Sequence, residues 1–246
     1  LKGWHTWNVR SVLSHVHMPD GFALNVAFKE YREGHYLKET LVGRFVNEYG
    51  REPAETAFPG IHAFDESYTE MRVKWCDMEI KVESAVEEGQ LMLLITPIRR
   101  QVRPAMLVLE SGFLWGRPGY AEAKDRSLLA HAPACEHAVY ITGTPMEDAN
   151  IPVQAACLCT VLDGPVAVST GHPLPLETVQ ARILANREAH EKKCARFGEM
   201  GSMYSAMESA LGWDTIYDAR HNRVVSPVSR LWSIGSGGYV LFCWDN

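Results

Sequence analysis

The 246-residue sequence predicts a mainly β fold, a large antiparallel β-sandwich over the first two thirds followed by a helical segment. Three observations carry that reading. Apolar and polar residues alternate with a period of two in stretches spread between residues 22 and 171. Turn residues recur at short intervals, with no helical period between them. After Pro173 and Pro175 the apolar spacing lengthens to three and four residues. The change sets a boundary near residue 173, between a sandwich domain, 1–173, and a helical segment, 174–246.

The elements follow in chain order. "FALNVAF", 22–28, sets Phe22, Leu24, Val26 and Phe28 against Ala23, Asn25 and Ala27 and reads as a half-buried strand. "DMEIKVES", 77–84, alternates Met78, Ile80 and Val82 with Glu79, Lys81 and Glu83. With "VEEGQ" and "LMLLITPI" after it, the stretch reads as a hairpin whose second strand is the more buried. "AMLVLESGFLW" (105–115), "HAVYITGT" (137–144) and "VQAACLCTVLDGPVAVSTG" (153–171) continue the pattern. In the last of these Asp163-Gly164 reads as a two-residue hairpin turn, since glycine tolerates positive φ. The prolines at 173 and 175 then prepare a helix with Glu177 in its first turn and Lys192, Lys193 and Arg196 in its last. Its predicted buried face is Val179, Ile183, His190, Cys194 and Phe197, and Gly198 follows as a stop. A second, shorter helix is predicted over 202–212. Beyond it, "TIYDARHNRVVSPVSRLWS" reads as an extended pair around a polar turn at 219–222.

Composition narrows the function classes. The chain is 46% hydrophobic and 22% charged, with a formal net charge of −6, which offers nucleic acid no basic footprint. Apolar runs such as "LMLLIT", 91–96, are too short to span a bilayer. Leu1-Lys2-Gly3-Trp4 has no apolar h-region and no initiator Met, which reads as a trimmed start rather than a signal peptide. None of the six cysteines is spaced Cys-x-x-Cys, and Cys157 and Cys159 read as small apolar strand residues. Unpaired cysteines favour a reducing compartment and hence the cytoplasm over an exported location.

Aromatic and polar residues crowd both ends of the chain. Trp4, Trp7, Trp213, Trp232 and Trp244, five of the seven tryptophans, lie within about 35 residues of one end or the other, beside Asp214, Arg230 and Asp245. Indole faces next to carboxylates and a guanidinium suit a carbohydrate: the sugar's C–H face stacks on the ring while Asp and Arg take paired hydroxyls. Trp is equally a large core residue whose N–H needs a partner. The tail "GWDTIYDARHNRVVSPVSRLWSIGSGGYVLFCWDN" and the opening "GWHTWNVRSVLSHV" resemble glycoside hydrolases of family 63 and the bacterial α-glucosidases and mannosylglycerate hydrolases around them. The resemblance implies a β-sandwich of the supersandwich type, a helical linker, and the truncated start of an (α/α)6 catalytic barrel opened by a Trp-Asp-(Ser/Thr/Asn) motif. It implies an inverting α-glycosidase acting on α-linked glucosides or mannosides, in which an acid and a base ~6.5–9.5 Å apart flank the bond.

In that family both catalytic carboxylates lie on barrel helices downstream of the motif, so the resemblance puts none in this chain. It makes Asp245 and Trp244 substrate-binding residues of the glycone pocket, and Arg230 and Trp232 residues of its wall. Twelve barrel helices of ~12 residues need roughly 150 residues before loops, whereas the stretch after residue 173 offers two. The expectation is therefore an N-terminal piece, inactive alone, whose partners are a glycoside or oligosaccharide substrate and the rest of its own protein. A face built to hold a barrel predicts self-association when left uncovered. The alternative is a free-standing carbohydrate-binding sandwich, which requires several tryptophans on one open face; a supporting sandwich buries Trp4 and Trp7.

Other constellations give weaker signals. "HVH" puts His15 and His17 on one strand face, a geometry open to a metal but more economically read as a hydrogen-bonded or surface pair. The histidines, His131 and His137 among them, show no helical His-x-x-x-His pair and no His-Cys cluster, so neither a metal nor a cofactor is expected. Asp65, Glu66, Glu70 and Asp77 read as a solvated face. "GSGG", 235–238, lacks the Lys-Ser/Thr of a phosphate loop.

Overall fold

Inward-facing side chains from two antiparallel sheets meet in one apolar core. The computed structural model describes residues 1–7, 13–29, 56–75, 78–99, 105–146 and 155–226. The strands are β1 (Gly3–Trp7), β2 (Leu13–Met18), β3 (Phe22–Lys29), β4 (Thr56–His62), β5 (Thr69–Trp75), β6 (Met78–Glu87) and β7 (Gln90–Arg99). After these come β8 (Ala105–Phe113), β9 (Tyr120–Lys124), β10 (Ser127–His131), β11 (Glu136–Ile141), β12 (Cys157–Leu162) and β13 (Val166–Thr170). One sheet has five strands in the order β1-β2-β3-β8-β12; the other has eight, β4-β5-β6-β7-β13-β11-β10-β9. Leu24, Val26, Phe28, Leu107 and Leu109 from the first pack against Val73, Ile80, Val82, Leu93, Ile95 and Val168 from the second. This is the β-sandwich that period-2 alternation requires when both inner faces are apolar.

The β3 strand departs from expectation, being buried on both faces rather than one. Its second face is small and is covered from outside: Ala23 lies with Trp7, Val16 and Leu114, Ala27 with Met106 and Val108, and Asn25 accepts a hydrogen bond from the Ser14 hydroxyl at 2.9 Å. The Asp163-Gly164 reading is also corrected. It joins no hairpin, because β12 pairs with β8 in one sheet while β13 pairs with β7 and β11 in the other. Pro165 follows directly and has no N–H to continue a ladder, so the chain leaves one sheet there and enters the other. The β6–β7 hairpin forms as predicted, with the central residues of β7 buried.

Two helices then lie against the sandwich. α1 (Leu176–Ala195) buries Val179, Ile183, His190 and Cys194, and the first two rest on Tyr68, Ala85, Met92, Leu94 and Ala167 on the outer face of the larger sheet. Phe197 lies beyond the helix end and is 48% exposed, so it is not part of that face. After a 3₁₀ turn, Gly198–Met200, α2 (Gly201–Asp214) docks on β4. The Trp213 indole N–H donates to the Gly60 carbonyl at 2.8 Å, and the His62 and Phe64 amides donate to Ser209 Oγ and Glu208 Oε1. A short hairpin, β14 (Ile216–Asp218) with β15 (Arg223–Val225), places Tyr217 flat against Trp7 on the outer face of the smaller sheet, ring centres 5.9 Å apart. No helix among the described residues is long and apolar enough to cross a membrane.

Candidate functional site

The edge pair β1–β2 carries four residues whose register decides the chemistry. Trp4 faces His17 and Thr6 faces His15 across the ladder, so all four point the same way, into the sandwich. His15 and His17 do share a face, as their spacing predicts. They do not form a pair with each other, and each belongs to a separate cluster of imidazoles and carboxylates.

The first cluster gathers at the turn between β2 and β3. Met18–Pro19 is a cis peptide, and Gly21 takes φ +72°, a conformation that suits glycine. A Cβ at Gly21 would also lie 3.2 Å from the Leu114 carbonyl, so glycine is needed twice over. The turn is closed by Gly21 N–H to His17 O at 2.8 Å and by Phe22 N–H to Asp20 Oδ1 at 3.0 Å. This leaves Asp20 Oδ2 facing three donors: His17 Nδ1 at 3.0 Å, His137 Nε2 at 2.6 Å and Cys135 Sγ at 3.0 Å. Cys135 comes from the β10–β11 turn and His137 from the first residues of β11, with Sγ and Nε2 3.5 Å apart. Trp4 packs edge-on to both imidazoles, and Phe22 stacks on His137 at 5.1 Å. The Asp20 side chain is 7% exposed and that of His137 10%, while His17 keeps 21%. Burial acts to raise the Asp20 carboxyl, but the bonds from His137, His17, Cys135 and the Phe22 amide outweigh it and hold the group well below the usual carboxylate range. Burial, together with the Asp20 charge, pushes the Cys135 thiol up to about 11. The group is thus a carboxylate ringed by hydrogen-bond donors, and His17, Asp20 and His137 stand close enough together to ligate one metal ion.

The second cluster lies at the other end of the same strand pair, with His15, His62 and Glu66 buried. Glu66, in the β4–β5 turn, reaches over the free edge of β1. Its carboxylate meets His62 Nε2 at 3.4 Å, His5 Nδ1 at 3.7 Å and the Thr6 amide. Burial works to raise the Glu66 carboxyl, yet attraction to His62 and the close approach of His5, His62 and the Thr6 amide bring it down to about 2. His15, wholly buried, shares a 3.1 Å hydrogen bond between Nδ1 and Thr6 Oγ1. Burial, reinforced by His62 and opposed by Glu66, lowers its imidazole to about 4. His15 Nε2 has no hydrogen-bond partner among the described residues. With His15, His62 and Glu66 buried, this cluster acts as an electrostatic clasp between the sheets.

A third feature is an open groove of about 470 Å³ over α2, lined by Phe64, Met207 and Leu211 with Lys193 and Glu208 on its floor. The Lys193 ammonium and the Glu208 carboxylate are 2.7 Å apart.

Asp245, Trp244, Arg230 and Trp232, the residues predicted to bind substrate, lie outside the described residues, as does "GSGG". Of the acidic residues read as a solvated face, Asp65 is exposed, Glu66 is buried and Asp77 lies outside the described residues. The expected absence of a His-Cys grouping is corrected by Cys135 and His137. Their Cys-x-His spacing, which puts both side chains on one side of an extended chain, was the available signal. Asp20 and Glu66 gave none, because each sits in a turn where an acidic residue is ordinary. A scan of the chain against models of known protein families finds no match, and a search of curated proteins likewise finds none.

Proposed function

We propose that this chain is the non-catalytic N-terminal part of an inverting α-glycosidase similar to glycoside hydrolase family 63, a sandwich and helical linker that seat an (α/α)6 barrel. The observation that carries the reading is a contrast between buried indoles and open apolar surface. Trp4 and Trp7 are 4% exposed and Trp213 is 6% exposed, so they provide no platform for a sugar ring. Phe64, Met207 and Leu211 are between 53% and 59% exposed on one side of α2, the kind of surface that a second domain covers. The order of sandwich, long helix and docked second helix supports the same reading. On it the barrel supplies the catalytic acid and base, Asp245 and Trp244 line the glycone pocket, and Arg230 and Trp232 form its wall.

Two measurements test this. The product of the complete open reading frame is assayed for release of glucose or mannose from α-linked substrates, with the anomeric configuration of the released sugar followed by NMR. Release with inversion is expected, and none is expected from the 246-residue chain alone. Alongside, the chain is titrated with oligosaccharides while its tryptophan fluorescence is followed, and no saturation is expected. A complete product without α-glycosidase activity overturns the proposal. Saturable micromolar binding by the chain alone replaces it with a carbohydrate-binding sandwich.

A further inference from the structure

We propose that His17, Asp20, Cys135 and His137 form a zinc-binding site where the β2–β3 and β10–β11 turns meet at one end of the sandwich. The inference is independent of the glycosidase reading and rests on how four donors of three chemical types gather around Asp20 Oδ2. Zinc takes imidazole nitrogen, thiolate sulfur and carboxylate oxygen at ~2.0–2.3 Å in a tetrahedron, which sets neighbouring ligand atoms ~3.3–3.7 Å apart. Cys135 Sγ and His137 Nε2 already stand 3.5 Å apart. The contacts that Asp20 Oδ2 makes with His137, Cys135 and His17, at 2.6, 3.0 and 3.0 Å, are shorter because protons bridge them. His17, Asp20 and His137 already form a group with all ligand atoms within 4.8 Å of one another, and Cys135 stands just outside it. Replacing the bridges with an ion asks the carboxylate to open by ~0.5 Å and the Cys135 side chain to turn inward, changes that small χ rotations in two turn residues supply.

Three further features favour a metal over a mere hydrogen-bond knot. The ligands come from two turns far apart in sequence, each held by its own backbone bonds: Gly21 N–H to His17 O and Ala132 N–H to Cys135 O. The imidazoles are oriented beforehand by Trp4 and Phe22, whose rings pack within 5.1–5.7 Å of His17 or His137. His17, with 21% of its side chain exposed, and the part-exposed Cys135 lie at the rim, which gives an ion a way in. The donor set of one thiolate, two imidazoles and one carboxylate is borderline-soft and selects zinc over calcium or magnesium, which demand all-oxygen shells. On binding, the Cys135 thiol gives up its proton to solvent, since the thiolate is the form that ligates zinc.

The test uses the full 246-residue chain. After incubation with zinc chloride and exhaustive dialysis, metal analysis is expected to find about one zinc per chain. Cobalt(II) titration is expected to give the visible bands of a tetrahedral site together with a sulfur-to-cobalt charge-transfer band, and to perturb the fluorescence of the adjoining Trp4. Cys135→Ser is expected to abolish the charge-transfer band and weaken zinc binding at least ~10-fold without changing the far-ultraviolet circular dichroism. His137→Ala is expected to weaken binding as much; if that variant does not fold, the Cys135→Ser spectra decide. Failure of the wild-type chain to retain zinc overturns the proposal. So does zinc affinity unchanged in Cys135→Ser, which would show that the thiolate is not a ligand.

Discussion

Gly212 sits in the last turn of α2 with its α-carbon against the buried His62 ring. A Cβ built there would lie 2.6 Å from His62 Cγ and 3.0 Å from its Cβ, inside contact distance for both. His62 has nowhere to retreat: Trp213 packs on it at 4.7 Å, Glu66 faces its Nε2, and its amide is bonded to Ser209. Replacing a helical glycine by alanine gains ~1 kcal/mol of helix propensity, whereas forcing an extra carbon into a tight contact costs ~1–3 kcal/mol. Gly212→Ala is therefore expected to lower the urea midpoint despite the better helix former. Gly164→Ala, whose Cβ would meet nothing within 4 Å, serves as the control and is expected to leave stability within ~0.5 kcal/mol. If Gly212→Ala matches or exceeds the wild type, the close packing of α2 on β4 is wrong. At this scale little was legible in the sequence. Glu66 and Asp20 look like ordinary turn acids, and what makes one a buried clasp and the other a four-way hydrogen-bond hub is partners roughly 60 and 115 residues away. Periodicity along the chain does not carry such pairings.

The helices show what an element's pattern does and does not disclose. Val179, Ile183, His190 and Cys194 were legible as the buried face of α1, because a helix against a flat sheet repeats its contacts every three to four residues. Glu208 was not. It lies on α2 with only 8% exposure, where it accepts the Phe64 amide and the Lys193 ammonium from α1 and so ties both helices to the β4–β5 turn. Lys193 keeps 35% side-chain exposure, so solvent screens its end of the pair. Glu208→Gln retains an acceptor for the Phe64 amide and removes the charge, so its cost is expected to stay near ~1 kcal/mol. Lys193→Met leaves a buried carboxylate short of its cation and is expected to cost more, ~1–3 kcal/mol. Urea unfolding of the two variants at neutral pH fixes the order, and a reversed order removes the argument that desolvation of Glu208 dominates. The switch of sheets at Asp163–Pro165 belongs to this scale as well. Asp-Gly flanked by two apolar strands is locally indistinguishable from a hairpin signal, and only the partners of β12 and β13 show otherwise.

For the molecule as a whole, the two-sheet sandwich with helices on its outer faces was readable because alternation and turn spacing are properties of long stretches, robust to any one residue. Its response to acid follows from the two sheets being clasped by groups whose protonation folding disfavours. His15 titrates near 4 in the fold against an ordinary 6.5, and Glu66 near 2 against 4.5. Between pH 6.5 and 4 the unfolded chain takes up a proton on His15 that the native state refuses, so stability falls as pH falls across that window. At 1.36 kcal/mol per unit the loss from His15 reaches about 3 kcal/mol by pH 4. From 4.5 down to 2 Glu66 adds a loss of the same sign, since its carboxylate stays ionised in the fold after the unfolded chain has protonated. Above pH 6.5 neither group contributes a slope. Urea midpoints measured from pH 8 to pH 4 are therefore expected to be level at first and then to drop steadily. In His15→Gln, which keeps a polar partner for Thr6 and cannot titrate, the drop between pH 6.5 and 4 is expected to flatten while any loss below 4.5 persists. An undiminished slope in that variant would move the acid sensitivity away from His15 and with it the claim that the clasp at the β1 edge governs how the sandwich comes apart.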